Sequence, residues 1–171
     1  PALTYVRARD GALLDSVVPP HHQMSLHHLA VAANDDVVVG VQYQGAITDE
    51  VSLAGRHRLA GEWHWWMADE LTQLRMRQYT ASVAVDRAGT TALISCPRGN
   101  GIAVWDIPTG ELVNMLDIAD AAGLDRATGD GTWVGTNGNG EQVQIRREGA
   151  SVTLQRLQQL PLRWDNHLTV V

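Results

Sequence analysis

Four of the seven histidines of this 171-residue chain fall in one stretch, Pro19-Pro20-His21-His22-Gln23-Met24-Ser25-Leu26-His27-His28. Imidazole nitrogen and thioether sulfur both suit copper, and imidazole also suits zinc and iron, so His21, His22, His27 and Met24 are candidate ligands of a transition metal. The spacing limits that set. His27 and His28 fall in a run expected to be a strand, where neighbouring side chains project to opposite faces, so at most one of them joins His21 or His22 around a single ion. His28 also precedes Leu-Ala-Val as His167 precedes Leu-Thr-Val. A position used twice in a repeat serves structure first, by bonding a neighbouring strand or turn; beyond that role, His28 is a candidate ligand-binding residue.

A second constellation is Ser95-Cys96-Pro97-Arg98-Gly99-Asn100-Gly101. Pro97 stiffens the entry and the two glycines permit tight backbone, so Arg98 is presented from a constrained loop, where a guanidinium can grip a carboxylate or phosphate. Arg98 and Asn100 are therefore candidate ligand-binding residues; the structural alternative pairs Arg98 with an acidic residue of a neighbouring unit. Cys96 lacks a nucleophile's context and is expected to be a small buried strand residue. Thr136-Asn137-Gly138-Asn139-Gly140 lacks the lysine and following helix of a phosphate loop and is expected to be a hairpin turn. The acidic pairs Asp35/Asp36 and Asp49/Glu50 are expected in solvated turns. In Trp63-His64-Trp65-Trp66 strand alternation puts bulk on both faces, which fits burial between sheets better than a stacking platform. Nothing here specifies a reaction.

Composition excludes several classes. Apolar residues make up 44% and charged residues 19%, a globular balance far from that of disordered chains. All 13 basic residues are arginine, phenylalanine is absent, and six tryptophans supply most of the aromatic volume. A net charge of −6 without a basic stripe argues against nucleic acid or anionic membrane as partner. A single cysteine excludes an internal disulfide and a thiolate cluster. No run approaches the ~18 apolar residues of a membrane span. The chain starts at Pro1 with no signal-type segment and is expected to be a processed product or a fragment.

The elements that position these residues recur along the chain. Hairpins at 4–17, 103–116 and 143–154 share a turn glycine, Gly11, Gly110 and Gly149, and a short strand precedes each full unit. With Leu29, Val83, Leu124 and Leu168 equivalent, the intervals are 54, 41 and 44 residues. Asn, Asp and Gly punctuate the β-rich runs within each unit, giving about four short strands in ~40–45 residues, the period of a β-propeller blade. The first interval is lengthened by 67–79, where Met67, Leu71 and Leu74 mark one helical face, with Asp69 and Glu70 in the first turn and Arg75 and Arg77 in the last. Its apolar stripe is expected to lie on the sheet edge. The fold class is all-β: a β-propeller arc of about three and a half four-stranded blades with one short inter-blade helix. The divisions are a half-blade at 1–18, a blade at 26–66, the helix at 67–79, blades at 82–118 and 123–157, and a closing strand at 166–171. Such an arc leaves an open edge, closed either by a missing N-terminal half or by a second copy of the chain.

Leu26-His27-His28-Leu29-Ala30-Val31, Val41-Gln42-Tyr43-Gln44-Gly45, Tyr79 leading into Ser82-Val83-Ala84-Val85, the loop at 95–100 followed by Ala103-Val104-Trp105-Asp106, and Trp164-Asp165-Asn166-His167-Leu168 give the chain its likeness to a family. It resembles the bacterial domain of unknown function family 1513, over the C-terminal half of that family's length. The resemblance implies a seven-bladed propeller related to WD-repeat and quinoprotein-like folds, a secreted or periplasmic location, and an unassigned biochemical function. Genomic neighbours of that family, imelysin-like and dihaem peroxidase-like proteins, imply periplasmic iron handling. His27 stands where the family has arginine, which enriches the histidine cluster.

The leading reading is a non-catalytic periplasmic propeller that binds a protein or small ligand at the channel mouth, where the loops after the first and third strands of each blade converge. One alternative is a metal-binding propeller, for copper, iron or zinc, through the 21–28 cluster. The other is an enzyme acting at the channel mouth with Arg98 as anion clamp. Apart from that transition metal no cofactor is specified, and a periplasmic protein is the further candidate partner.

Overall fold

The computed structural model describes residues 2–165 and 167–170. A hairpin of β1 (Leu3–Val6) and β2 (Leu13–Val17) opens the chain. The first complete blade holds β3 (Met24–Val31), β4 (Val37–Tyr43), β5 (Ala54–His57) and β6 (His64–Trp66). The second holds β7 (Val83–Val85), β8 (Thr91–Cys96), β9 (Gly101–Asp106) and β10 (Leu112–Asp117), and the third β11 (Ala121–Arg126), β12 (Thr132–Asn137), β13 (Glu141–Glu148) and β14 (Ser151–Gln159). Each blade is an antiparallel meander whose spatial order follows the chain. The first strands lie innermost, β3 packing on β7 and β7 on β11, while β14 at the rim is largely exposed. This is the expected β-propeller arc.

Strand alternation explains the stacking. In the second blade every residue of β8 is buried. Ala92, Ile94, Cys96, Ala103 and Trp105 face the first blade in one apolar layer. Leu93, Ile102 and Val104 face the third in another, with Leu124, Trp133, Val143 and Ile145. A sheet apolar on both faces is stable only between two others. Trp105 and Trp133, 1% and 0% exposed, fill the two inter-blade gaps, and Trp66 packs on Trp105 with ring centres 5.7 Å apart. Among the described residues, neither the Trp105 nor the Trp133 indole N–H meets an acceptor.

Polar groups tie the layers together. Arg147 of β13 donates to Asp106 Oδ2 at 2.9 Å and to Thr91 Oγ1 at 2.8 Å, joining the third blade to the second. Asp36, expected in a solvated turn, is buried: its carboxylate accepts from Asn34 at 2.9 Å and from Arg58 Nε at 3.1 Å and lies 3.3 Å from Arg56 Nη1. The tight turns at Gly11, Gly110 and Gly149 carry φ of +73°, +74° and +61°, which side-chain-bearing residues rarely adopt.

Two expectations are corrected. The expected short inter-blade helix is present as α1 (Glu70–Arg75), but its apolar stripe does not lie on a sheet edge: Met67, Leu71 and Leu74 are 47%, 78% and 48% exposed. Met76, just past its end, is the residue buried there. At the C-terminus, residues 167–170 form no strand among the described residues, and the rest of the expected closing strand, 166 and 171, lies outside them. Val170 N still reaches Asp125 Oδ2 at 2.6 Å, alongside β11. Among the described residues no helix is long and apolar enough to cross a membrane.

Two stability measurements follow from this packing. Trp133→Ala is expected to cost about 3–5 kcal/mol by opening a cavity, whereas Trp133→Phe, which also removes the unpaired N–H, should cost about 1.5 kcal/mol or less; equal losses in urea unfolding would refute the packing role. Burial alone would raise the Asp106 carboxyl, but hydrogen bonds from Arg147 and Thr109 outweigh it and hold the group below its usual range. A depressed carboxyl contributes stability above pH ~4 that disappears as pH falls through its folded value. Unfolding between about pH 7 and pH 3 should therefore show a loss of stability that is smaller in Asp106→Asn; identical pH slopes would remove the ion pair from the account.

Candidate functional site

Strand direction alternates in a meander, so the connections after the second and fourth strands of every blade gather at one end. That end, rather than the one formed after first and third strands, carries His21, His22, Arg98 and Asn100. It holds 18–23 ahead of β3, 44–53 after β4, 67–82 after β6 and 97–100 after β8.

A groove of about 530 Å³ opens there between the 44–53 loop and α1, with Ile47, Val51, Leu53, Met67 and Leu74 among its lining and Asp49, Glu50 and Glu70 at its polar margin. Its walls are pinned by hydrogen bonds. Gln73 Nε2 donates to Val51 O at 2.7 Å and Gln78 Nε2 to Ala46 O at 2.7 Å, fastening helix to loop. Asp49 accepts from Tyr43 Oη at 2.6 Å and from Ala46 N at 3.0 Å, closing the loop on itself. That bond to Asp49, then burial and the carboxylate's charge, raise the Tyr43 phenol. At the start of α1, Asp69 Oδ1 caps Thr72 N at 3.1 Å; the hydrogen bond from the Thr72 side chain, then this backbone bond, lower the Asp69 carboxyl.

The 97–100 loop fits under the far end of α1. Arg75 donates to Gly99 O at 3.0 Å, Asn100 O at 2.9 Å and Asp117 Oδ1 at 2.6 Å. A Cβ on Gly99 would fall 2.5 Å from Arg75 O, so only glycine fits. Arg98, in a single 3-10 turn over Pro97–Gly99, is exposed and lies over the Tyr79 ring with its guanidinium carbon 4.1 Å from the centroid. The expected acidic partner is replaced by this cation–π contact. Asn100 takes a left-handed conformation and its Oδ1 accepts from Asp120 N at 3.0 Å, a loop-building role. Cys96 is fully buried on β8, where desolvation pushes its thiol up to about 12.

Four of the seven histidines form two pairs. His21 and His22 stand at the loop end with ring centres 4.6 Å apart, and His21 meets the Tyr43 ring edge-on at 5.2 Å. Its Nδ1 already accepts from Gln23 N at 3.2 Å. Met24 is in the core, 1% exposed, and cannot join them at the surface. His27 is exposed at an irregularity of the β3–β4 ladder, where the register jumps between Leu26 and His28, so strict alternation does not govern this pair. His28 meets His167 with ring centres 5.2 Å apart; burial, His167 and His27 lower its pKa. Among the described residues, no three His, Cys, Asp or Glu side chains are grouped to hold a metal.

His57, which no sequence pattern marks, is the most committed histidine: 1% exposed, its Nε2 donates to Gly61 O at 3.1 Å and its Nδ1 accepts from Tyr5 Oη at 2.8 Å. The carbonyl can only accept, which fixes this tautomer. The pair joins the opening hairpin to the first blade. Burial, then Asp15 and Asp36, raise the Tyr5 phenol.

A family model described as a protein of unknown function (DUF1513) matches residues 1–171. None of the curated proteins compared matches the sequence. Among solved structures, a catalytically inactive virginiamycin B lyase from Staphylococcus aureus, with quinupristin, superimposes with a TM-score of 0.66 at 12% identity over 91% of this chain and 48% of that one. An auxiliary nutrient binding protein from Bacteroides ovatus gives 0.61 at 13% identity over 93% and 37%. Hydrazine synthase of Kuenenia stuttgartiensis gives 0.60 at 11% over 91% and 51%. The chain thus spans about half the length of these proteins or less, and the likeness establishes the fold alone.

The buried thiol gives a direct check on the site. Cys96 is expected to resist dithionitrobenzoate at neutral pH in the folded chain and to react fully in denaturant; rapid labelling of the native protein would show a reactive cysteine instead.

Proposed function

The chain belongs to the family of proteins of unknown function DUF1513, and from its own geometry we propose that it is a non-catalytic ligand-binding part of a periplasmic β-propeller, whose binding site is the groove between the 44–53 loop and α1. The groove carries the proposal. Its size falls within the ~300–1,000 Å³ of small-molecule sites, and an apolar lining with a few polar groups at the margin is what such sites need. The groups that would serve chemistry at this end are engaged elsewhere: Asp49 holds its own loop, Arg98 lies on Tyr79, and Cys96 is buried. That pattern favours binding over the enzyme reading. The periplasmic location rests on the family resemblance. The arc is closed by the remaining half of a longer chain or by a second copy; a periplasmic protein is the larger alternative occupant of this end.

Titration with Nile red, a neutral apolar dye, tests the site. One saturable site per chain is expected, weakened at least tenfold by Leu74→Arg, a change at a half-exposed position outside the core. Unsaturable binding, or equal affinity in the variant, would remove the groove as the binding site.

A further inference from the structure

We infer that His28 and His167 form a two-imidazole site for a divalent transition metal at the inner edge of the arc, separate from the groove and from the 21–22 pair. The residues are 139 positions apart and are brought together by the fold. His28 lies on β3, an innermost strand. His167 begins the segment that runs beside β11, the innermost strand of the third blade. Val170 N is bonded to Asp125 there, and an added Cβ on Gly123 would lie 2.7 Å from Leu168 Cβ. Gly123 therefore permits the approach that carries His167 inward to His28.

The separation suits one ion. An imidazole nitrogen lies about 2.0–2.1 Å from zinc, and the ring centre is roughly 1.1–1.2 Å beyond it, so the metal stands about 3.2 Å from each ring centre. Two ligands at a tetrahedral angle then have ring centres about 5.2 Å apart. The observed value is 5.2 Å. The rival pair fits less well: its ring centres are only 4.6 Å apart, and one nitrogen of His21 is already an acceptor for Gln23. With no third protein ligand grouped among the described residues, water completes the coordination. Imidazole preference and the divalent affinity order place copper ahead of zinc.

Calorimetric titration of the tag-free chain with Cu²⁺ and Zn²⁺ tests this. One Cu²⁺ per chain is expected, bound more tightly than Zn²⁺, with affinity falling at least tenfold in His28→Gln and in His167→Gln. The same loss is expected in Gly123→Val, which keeps both imidazoles but displaces the segment, while His22→Gln binds as before. Absence of saturable Cu²⁺ binding, unchanged binding in both His28→Gln and His167→Gln, or loss in His22→Gln would overturn the site. Should the inner variants fail to fold, paramagnetic resonance of Cu²⁺ on the His21→Gln/His22→Gln chain decides it: two coordinated nitrogens support the site, and fewer overturn it.

Discussion

Burial on both faces of the middle blade is the constraint on which the rest of the structure depends. A strand exposed on one side alternates apolar and polar residues, but β8 has no solvent side at all. Ala92, Ile94 and Cys96 serve one interface and Leu93 the other, so the blade requires a neighbour on each side. The neighbours inherit the same demand on their inner faces. Indole rings meet it because blades fan outward from the axis, leaving gaps that only bulky groups such as Trp66, Trp105 and Trp133 close.

Arginine supplies the second layer of order. With no lysine in the chain, its cationic links are made by planar forks that reach several acceptors at once. Arg147 engages Asp106 and Thr91 across a blade boundary. Arg75 binds two carbonyls and a carboxylate, locking the helix to the loop beneath it. Both act as multi-acceptor clamps, and the second one shapes the groove by fixing the end of α1. The groove thus derives from the blade-to-blade geometry: a loop from the first blade and a helix between blades meet because their parent sheets are held face to face.

The strand repeat and the four-stranded blades were legible because each follows from a local rule: turn residues at regular spacing and β-rich runs between them. The burial of Cys96 was legible for the same reason. The exposed apolar stripe of α1 was not. Periodicity identifies a helical face but not what covers it, and here Leu71 and Leu74 are left open beside the groove. Asp36 misled in the opposite direction. A turn aspartate reads as solvated until Arg56 and Arg58, two and four residues into and past another strand's start, are folded over it.

The sequence by itself determined that this is a β-propeller arc, since a ~40-residue strand repeat with apolar residues on both faces has few other stable arrangements. Only the tertiary structure decided which chemistry-bearing residues meet. Alternation of strand direction put Arg98, His21 and the groove at one end. An irregularity in the β3–β4 ladder broke the simple alternation of His27 and His28, and close approach at Gly123 brought His167 to His28. Each of these depends on contacts between residues far apart in the chain, and spacing along a sequence does not encode the distance across a fold.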